Sequence, residues 1–583
     1  MAERITLKWL LENWSKTEHM VPMRDGTRLY TAVYQRKGLQ GRHPVMLIRT
    51  PFSLKPYGKG FSRRLRYKLS NYVRNDYIIV FQNVRGTYLS EGIFENVRPG
   101  SGEADDSWDT AQWILSGTPC NGRIGVQGMS YPGFYATVAA TCGHPAIKAV
   151  SPQAPVTDWF MGDDLHHNGA PMLADTCGFG NFFFKTRRRP SGRSLPCKPL
   201  TDSDLYAFYK GLTAEEIFRP FARRKGSFWD DLMEHPSYDS FWKERNAALR
   251  LEGVKPAMLV VGGLFDAEDS YGPLECYRRL KAQSPDTDVF MCLGPWSHGA
   301  WLEEGFDRLG DSFMGSGLTD YYLDRVEYPF FAYYLEEKGC RPGDGVTVIP
   351  SAALSAEAPA MVRQAGEIAV SYGCWPPEGV QLKRLYPAVS GGRKSLSDAP
   401  SGEEFRYVSD PDNPVPYFGE EGSWVSRDHM AADQRFLRRR GDVLGFSSGR
   451  LAESLRIAGP LKVHLEVAVQ GDDADFMVKL IDVREDGYRM LVRGDMMPAR
   501  FRSGFSEPEP LVPGERTVVE FVMNDVAHEF LPGHRIMLQV QSSCFPLFAM
   551  NPQVFTPNPY AATEYRKAEI TVFGTSYIEL PVL

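Results

Sequence analysis

The sequence is short of paired cysteines, of long apolar runs and of excess basic charge. Its nine cysteines are scattered from Cys120 to Cys544 with no C-x-x-C pair. An odd, unclustered set in so long a chain argues against a disulfide framework or a zinc site. No window approaches the ~18 apolar residues of a membrane span. The N-terminal "MAERITLKWLLENWSK" is amphipathic and charged rather than an unbroken apolar leader, so a cytoplasmic protein without a membrane partner is expected. The net charge of −6 offers no footprint for nucleic acid. Two short basic runs, "TRRRP" (186–190) and "RFLRRRGD" (435–442), read as solvated loop charges. Internal repeats and low-complexity linkers are also lacking.

What is present is size and rhythm. At 583 residues the chain exceeds one hydrophobic core, so two or three domains are expected. The first 300 residues carry short, nearly all-apolar runs: "PVMLIRT" (44–50), "YIIVFQNV" (77–84), "RIGVQG" (123–128), "AIKAVSPQAP" (146–155), "AMLVVGGLFD" (257–266) and "DVFMCLGPWSH" (288–298). Runs apolar on both faces are the mark of buried parallel strands. Helix-length segments such as 103–116 and 272–282 lie between them, which gives an α/β layered sheet. From Val156 to Leu251 the rhythm breaks into aromatic- and charge-rich helical stretches, read as a cap inserted where ligands bind in such sheets. Beyond Val362 apolar and polar residues alternate between Gly, Pro and Asp turns, as in a β-sandwich. The expected boundaries are 1–155 and 251–362 for the two parts of the core, 156–250 for the cap and 363–583 for the sandwich.

One serine stands at a tight corner, in "RIGVQGMSYPGF" (123–134). A nucleophile elbow lifts a serine off a strand-to-helix turn, with glycines two residues before and after it. Gly128 fills the first place, but Pro132 stands in the second and the glycine follows at 133. Proline is tolerated in a first helical turn, and Gly133 allows a close approach one residue later. A serine nucleophile also needs a base and a carboxylate to orient that base. The chain supplies them in the order serine, acid, histidine: Asp266 ends one apolar run and His298 ends the next.

The motif "GMSYPG" resembles that of the family containing α-amino-acid ester hydrolases, cocaine esterase and X-prolyl dipeptidyl aminopeptidases. The likeness extends through "VPMRDGTRLYTAVY" (21–34), "RTPF" (49–52), "QNVRGTYLSEGIF" (82–94), "GGLFDAEDSYGP" (262–273), "GPWSHG" (294–299) and "FLPGHRIMLQV" in the last domain. The resemblance implies an α/β-hydrolase core, a helical cap and a C-terminal jelly roll, with no cofactor. It implies Ser130 as nucleophile, His298 as general base and acid, Asp266 as its orienting partner and the Tyr131 backbone N–H as an oxyanion donor. The family's second donor is a tyrosine where this chain has Phe52. Tyr57, in "KPYGKG", is the nearest candidate to replace it, with an ordinary loop tyrosine as the alternative. Asn83 also departs from the aspartate frequent in relatives.

In the amino-acid ester hydrolases three acids grip the substrate's α-ammonium. This chain matches at Glu268, Asp269 and, by its place in "GDD", Asp164 rather than Asp163. Read without the family, such acids are surface or first-turn helix charges. The neighbouring His166 and His167 lack further ligands at metal spacing. The expected activity is acyl transfer from a small ester, amide or short peptide. The alternatives are an X-prolyl dipeptidyl aminopeptidase or a cocaine-esterase-like carboxylesterase, and a homo-oligomer is left open.

Overall fold

The structure is a computed structural model that describes residues 5–183, 189–193, 201–222, 228–343, 345–357 and 363–583. The basic run at 186–190 and the expected boundary at 362 lie partly outside them. The other basic run is a charged loop, in which Arg435 and Arg440 pair with Asp433 and Asp442.

The apolar runs form one sheet. Its strands are β1 (Trp14–Pro22), β2 (Arg28–Arg36), β3 (His43–Thr50), β4 (Ile78–Asn83), β5 (Cys120–Ser130), β6 (Ile147–Pro155), β7 (Ala257–Gly263), β8 (Val289–Gly294), β9 (Val346–Val348) and β10 (Val370–Tyr372). Among the described residues they stand in the order β1-β2-β4-β3-β5-β6-β7-β8-β9-β10. From β4 to β9 every pairing is parallel, and β1, β2 and β10 close the edges antiparallel. Strands β4, β7 and β8 are buried at every residue, because helices cover both faces of a parallel sheet. The helices Glu103–Gly117 and Tyr131–Ala140 connect β4 to β5 and β5 to β6, and Tyr271–Gln283 connects β7 to β8. All ten residues of Tyr131–Ala140 are buried, which its uniformly apolar sequence permits. With this topology the C-terminal ends of β5, β7 and β8 open on one edge of the sheet.

Between β6 and β7 the chain forms a cap of short helices, Leu173–Phe183, Leu205–Tyr209, Ala214–Ala222, Phe228–Glu234 and Ser240–Arg245. Its aromatic residues do not close a core of their own. Trp159, Phe160, Leu165 and Trp242 share one apolar cluster with Tyr131 and Phe134 of the core and with Phe501 and Phe530 of the last domain. That last domain is all-β. Its long strands Leu455–Val469 and Arg516–Phe530 alternate buried and solvated residues along much of their length, the pattern of a sheet with one wet face.

The chain crosses between the two sheets more than once. Ser351–Ala352 pairs with His528–Glu529 of the β domain, and the chain then returns to give β10 to the core sheet beside β9. A buried polar cluster pins the first crossing. Ser351 Oγ lies 2.8 Å from His528 Nδ1, and His528 Nε2 lies 3.0 Å from Asp482 Oδ2. The other oxygen of Asp482 is 2.8 Å from His534 Nδ1.

Burial opposes the charge on Asp482, but His528 and His534 outweigh it and hold the carboxyl below its ordinary range. A depressed carboxyl contributes stability above its unfolded value and loses it as pH falls through the folded one. Asp482→Asn is therefore expected to cost about 3 kcal/mol near neutral pH, with the difference from the parent shrinking below about pH 4. Thermal unfolding across that pH range checks both.

Candidate active site

Strand β5 ends at Ser130 in a strained backbone, φ 65° and ψ −128°, a region that residues with a side chain seldom occupy. The adjacent glycines make this turn possible. A Cβ on Gly128 would stand 2.0 Å from the Pro132 carbonyl oxygen, and one on Gly133 would stand 2.8 Å from the Gln153 carbonyl oxygen. Pro132 sits in the first turn of the following helix, where no N–H is needed. Ser130 thereby reaches the wall of a cavity of about 340 Å³.

His298 lines the same cavity, on the turn after β8. Its Nδ1 faces both oxygens of Asp266, at 2.9 and 3.1 Å. Asp266 is fixed in turn by the backbone N–H groups of Glu268 and Asp269, which donate to its Oδ1 at 2.9 and 3.0 Å. The Nε2 atom is left facing the cavity, with Glu268 Oε2 at 3.7 Å. No hydrogen bond joins Ser130 Oγ to the imidazole, a bond that is often long in unliganded sites. From the β domain, buried Arg493 donates to the Leu264 carbonyl at 2.6 Å and fixes the chain just ahead of Asp266. Nothing near Arg493 in sequence signals this.

The acids of "GDD" take different places. Asp163 accepts hydrogen bonds from Thr157 N–H, Thr157 Oγ1, Asp158 N–H and Gly272 N–H, so its carboxylate is fully used in holding the turn. Asp164, with φ 46°, lines the cavity. It accepts from the Trp159 indole at 2.9 Å, and its backbone N–H donates to the Glu268 carbonyl at 3.0 Å. Glu268 shares the wall. Asp269 lies behind it, fully buried, with neither oxygen hydrogen-bonded and one of them 3.9 Å from His298 Nδ1. A further acid that the motifs do not reveal, Asp175, is buried on the cap helix Leu173–Phe183, where Glu268 and Asp164 oppose its charge. Finding it requires knowing how the cap folds back.

Burial pushes these carboxyls up, Asp164 to about 6 and Glu268 to about 7. Asp269 and Asp175 rise well above the usual range, through burial and then repulsion from neighbouring acids, Asp164 and Glu268 among them. For His298 burial works against the charged ring, but Asp266, Glu268 and Asp164 outweigh it and lift the imidazole to about 10.

Tyr131 lines the cavity with its phenol committed elsewhere. The hydroxyl donates to Asn96 Oδ1 at 3.0 Å and accepts from Val97 N–H at 3.0 Å. Its backbone N–H opens the helix, where an N–H has no intrahelical acceptor. Phe52 is on the cavity wall, edge-on to Tyr131 with ring centres 6.5 Å apart. Tyr57 is not brought there; its ring stands edge-on to Tyr30 at 5.4 Å. Asn83 has a use that only the structure shows. Its amide donates to the carbonyls of Thr50 and Phe52, at 3.3 and 2.7 Å, and so shapes the loop carrying Phe52. An aspartate there would offer no donor. His166 and His167 are structural anchors, bonded to Tyr560 and to Asp495. Among the described residues no group of His, Cys, Asp and Glu is placed to hold a metal ion.

The model of the X-Pro dipeptidyl-peptidase (S15 family) matches residues 25–300, and that of the X-Pro dipeptidyl-peptidase C-terminal non-catalytic domain matches 353–575. A solved aminopeptidase from the marine sediment archaeon Thaumarchaeota archaeon is 32% identical, covering 100% of this chain and 98% of its own, with TM-score 0.88. The chain belongs to the X-Pro dipeptidyl-peptidase and cocaine esterase family. It is therefore a serine hydrolase. Within that family, a solved α-amino acid ester hydrolase is 30% identical with TM-score 0.88, covering 98% of this chain and 97% of its own. The cocaine esterase of Rhodococcus sp. (strain MB1 Bresler) is 28% identical over 546 residues, 91% of each chain.

Gly128→Ala is expected to force the elbow apart, costing about 2 kcal/mol or more from overpacking and most of the turnover. Thermal unfolding and hydrolysis of an activated ester check this. A variant as active and as stable as the parent would contradict the close approach.

Proposed function

We propose that the enzyme hydrolyses, or transfers, the acyl group of α-amino-acyl esters and amides through a covalent intermediate on Ser130. The observation that carries this is the set of carboxyls beside His298 to which no lysine or arginine of the described chain is paired. Asp164 and Glu268 face the cavity, with Asp269 behind them. A substrate ammonium supplies the missing positive charge and three donors. The 30% identical α-amino acid ester hydrolase supports the reading.

In this scheme Ser130 Oγ attacks the carbonyl carbon while its proton passes to His298 Nε2. The tetrahedral oxyanion takes the Tyr131 backbone N–H. His298 then gives the proton to the leaving oxygen or nitrogen, and water repeats the sequence to release the acid. Asp266 holds the imidazole by its Nδ1–H throughout. The ammonium has a second effect. In the empty site the acids hold a proton on His298; a bound cation competes for those acids and lowers the imidazole's affinity for its proton. The substrate's own charge frees the base. With phenylalanine at position 52 the oxyanion lacks the tyrosine donor of relatives, a loss of about 3 kcal/mol of transition-state stabilisation.

A second reading, cleavage after an X-Pro dipeptide, is supported by the description of the family model. It uses the same serine and ammonium site with a longer acyl group. Turnover of Ala-Pro-p-nitroanilide without phenylglycine methyl ester would select it.

A fluorophosphonate probe is expected to label the native protein and not Ser130→Ala; labelling that survives the substitution removes the serine mechanism. Glu268→Gln is expected to raise KM for an amino ester at least tenfold more than for the matching acetyl ester, and equal effects would remove the ammonium grip. The same grip predicts a pH dependence. Ammonium binding needs ionised acids and a protonated substrate amine, so affinity falls on the acid side as Glu268 (about 7) and Asp164 (about 6) take up protons, and on the alkaline side, above about pH 8, as the amine loses its own. KM for the amino ester should therefore rise from about pH 7 to about pH 5 while that for the acetyl ester stays flat.

A further inference from the structure

The same cavity has a second charged region. Arg64 and Lys68, on the turn after β3, line it together with Ile48, Leu69, Phe81 and Leu302. The Arg64 guanidinium stands 6.0 Å from the Phe81 ring. No carboxylate of the described chain pairs with either cation. Arg64 is exposed and Lys68 half-buried, the two repel each other, and the one acid that acts on Lys68 is Glu303, itself held by Arg427 at 2.7 Å. Two neighbouring cations on a partly apolar wall, neither held in an ion pair, repel each other, and a bound anion offsets that repulsion.

Sheet order gives these cations a direction. Strand β5, which carries Ser130, pairs with β3 on one side and β6 on the other. Asp164 follows β6, and Glu268 follows β7 one strand farther. The acids and the cations thus approach the serine from the two sides of its strand. An acyl group whose ammonium meets Asp164 and Glu268 directs its leaving group away from them, toward β3.

We infer that the leaving-group side of the cavity takes a carboxylate, which makes the preferred substrates short amino-acyl compounds charged at both ends, a dipeptide with free termini being the simplest. This rests on the ammonium reading above. It adds Arg64 and Lys68 as residues that select the leaving group, with Ile48, Leu69 and Phe81 against its apolar side chain.

The test measures binding by calorimetry to Ser130→Ala protein, so that turnover plays no part. The ligands are alanylphenylalanine, its C-terminal amide and its N-acetyl derivative. The amide is expected to bind at least tenfold more weakly than the free dipeptide, a gap set by one charge-assisted contact. The gap should close when Arg64→Gln and Lys68→Gln are added, with the folded state checked by thermal unfolding. Equal affinities for dipeptide and amide overturn the inference, as does no binding of the dipeptide. It also fails if the two substitutions weaken both ligands alike, since the cations would then serve the scissile carbonyl or the fold. The N-acetyl ligand reports separately on the ammonium site. If it binds as well as the free dipeptide, that earlier reading fails whatever the amide shows.

Discussion

Asp164, Glu268 and Asp269 crowd around one imidazole, Asp175 adds its charge to Asp164 and Glu268, and no lysine or arginine of the described residues forms an ion pair with them. Crowded acids of this kind repel one another and resist ionisation. They persist only because the fold holds them from several directions. Asp164 is fixed by the Trp159 indole and by a backbone bond to the Glu268 carbonyl. Asp266 is fixed by two backbone donors, and the chain ahead of it by Arg493 from another domain. The strained serine adjoins this arrangement, and the apolar cluster shared by core, cap and β domain surrounds it. Stability gained by burying that cluster offsets what the site costs.

The parallel strands were legible because they are apolar on both faces, a pattern that few other structures produce. Edge strands were harder to read. Trp14–Pro22 mixes solvated and buried residues, and Val346–Val348 and Val370–Tyr372 are too short to show a period. In the site, legibility followed the same logic. Ser130, Asp266 and His298 stand at or just beyond the ends of strands that could be seen, so their approach to one another follows from sheet order. Arg64 and Lys68 come to the cavity, and Asp175 and Arg493 to the residues behind it, through packing between elements, which no local pattern records. Tyr57 shows the converse. It is near Phe52 in sequence, yet the chain turns it toward Tyr30.

The junction between domains carries an instructive contrast. Ser351, His528 and Asp482 satisfy the hydrogen-bond distances of a serine, a base and an orienting acid. All three are buried, and none lines the cavity. What separates Ser130 from Ser351 is its strained backbone and the open space in front of it. Distance criteria alone would have selected Ser351 and passed over Ser130, which no hydrogen bond joins to His298.

That same junction bears on how far the molecule can be divided. Because one short strand pairs forward into the β domain and a later one pairs back into the core, the two halves are laced together. A gene truncation between those strands would leave a raw sheet edge on the fragment that remains, so the enzyme is built to be made as a whole.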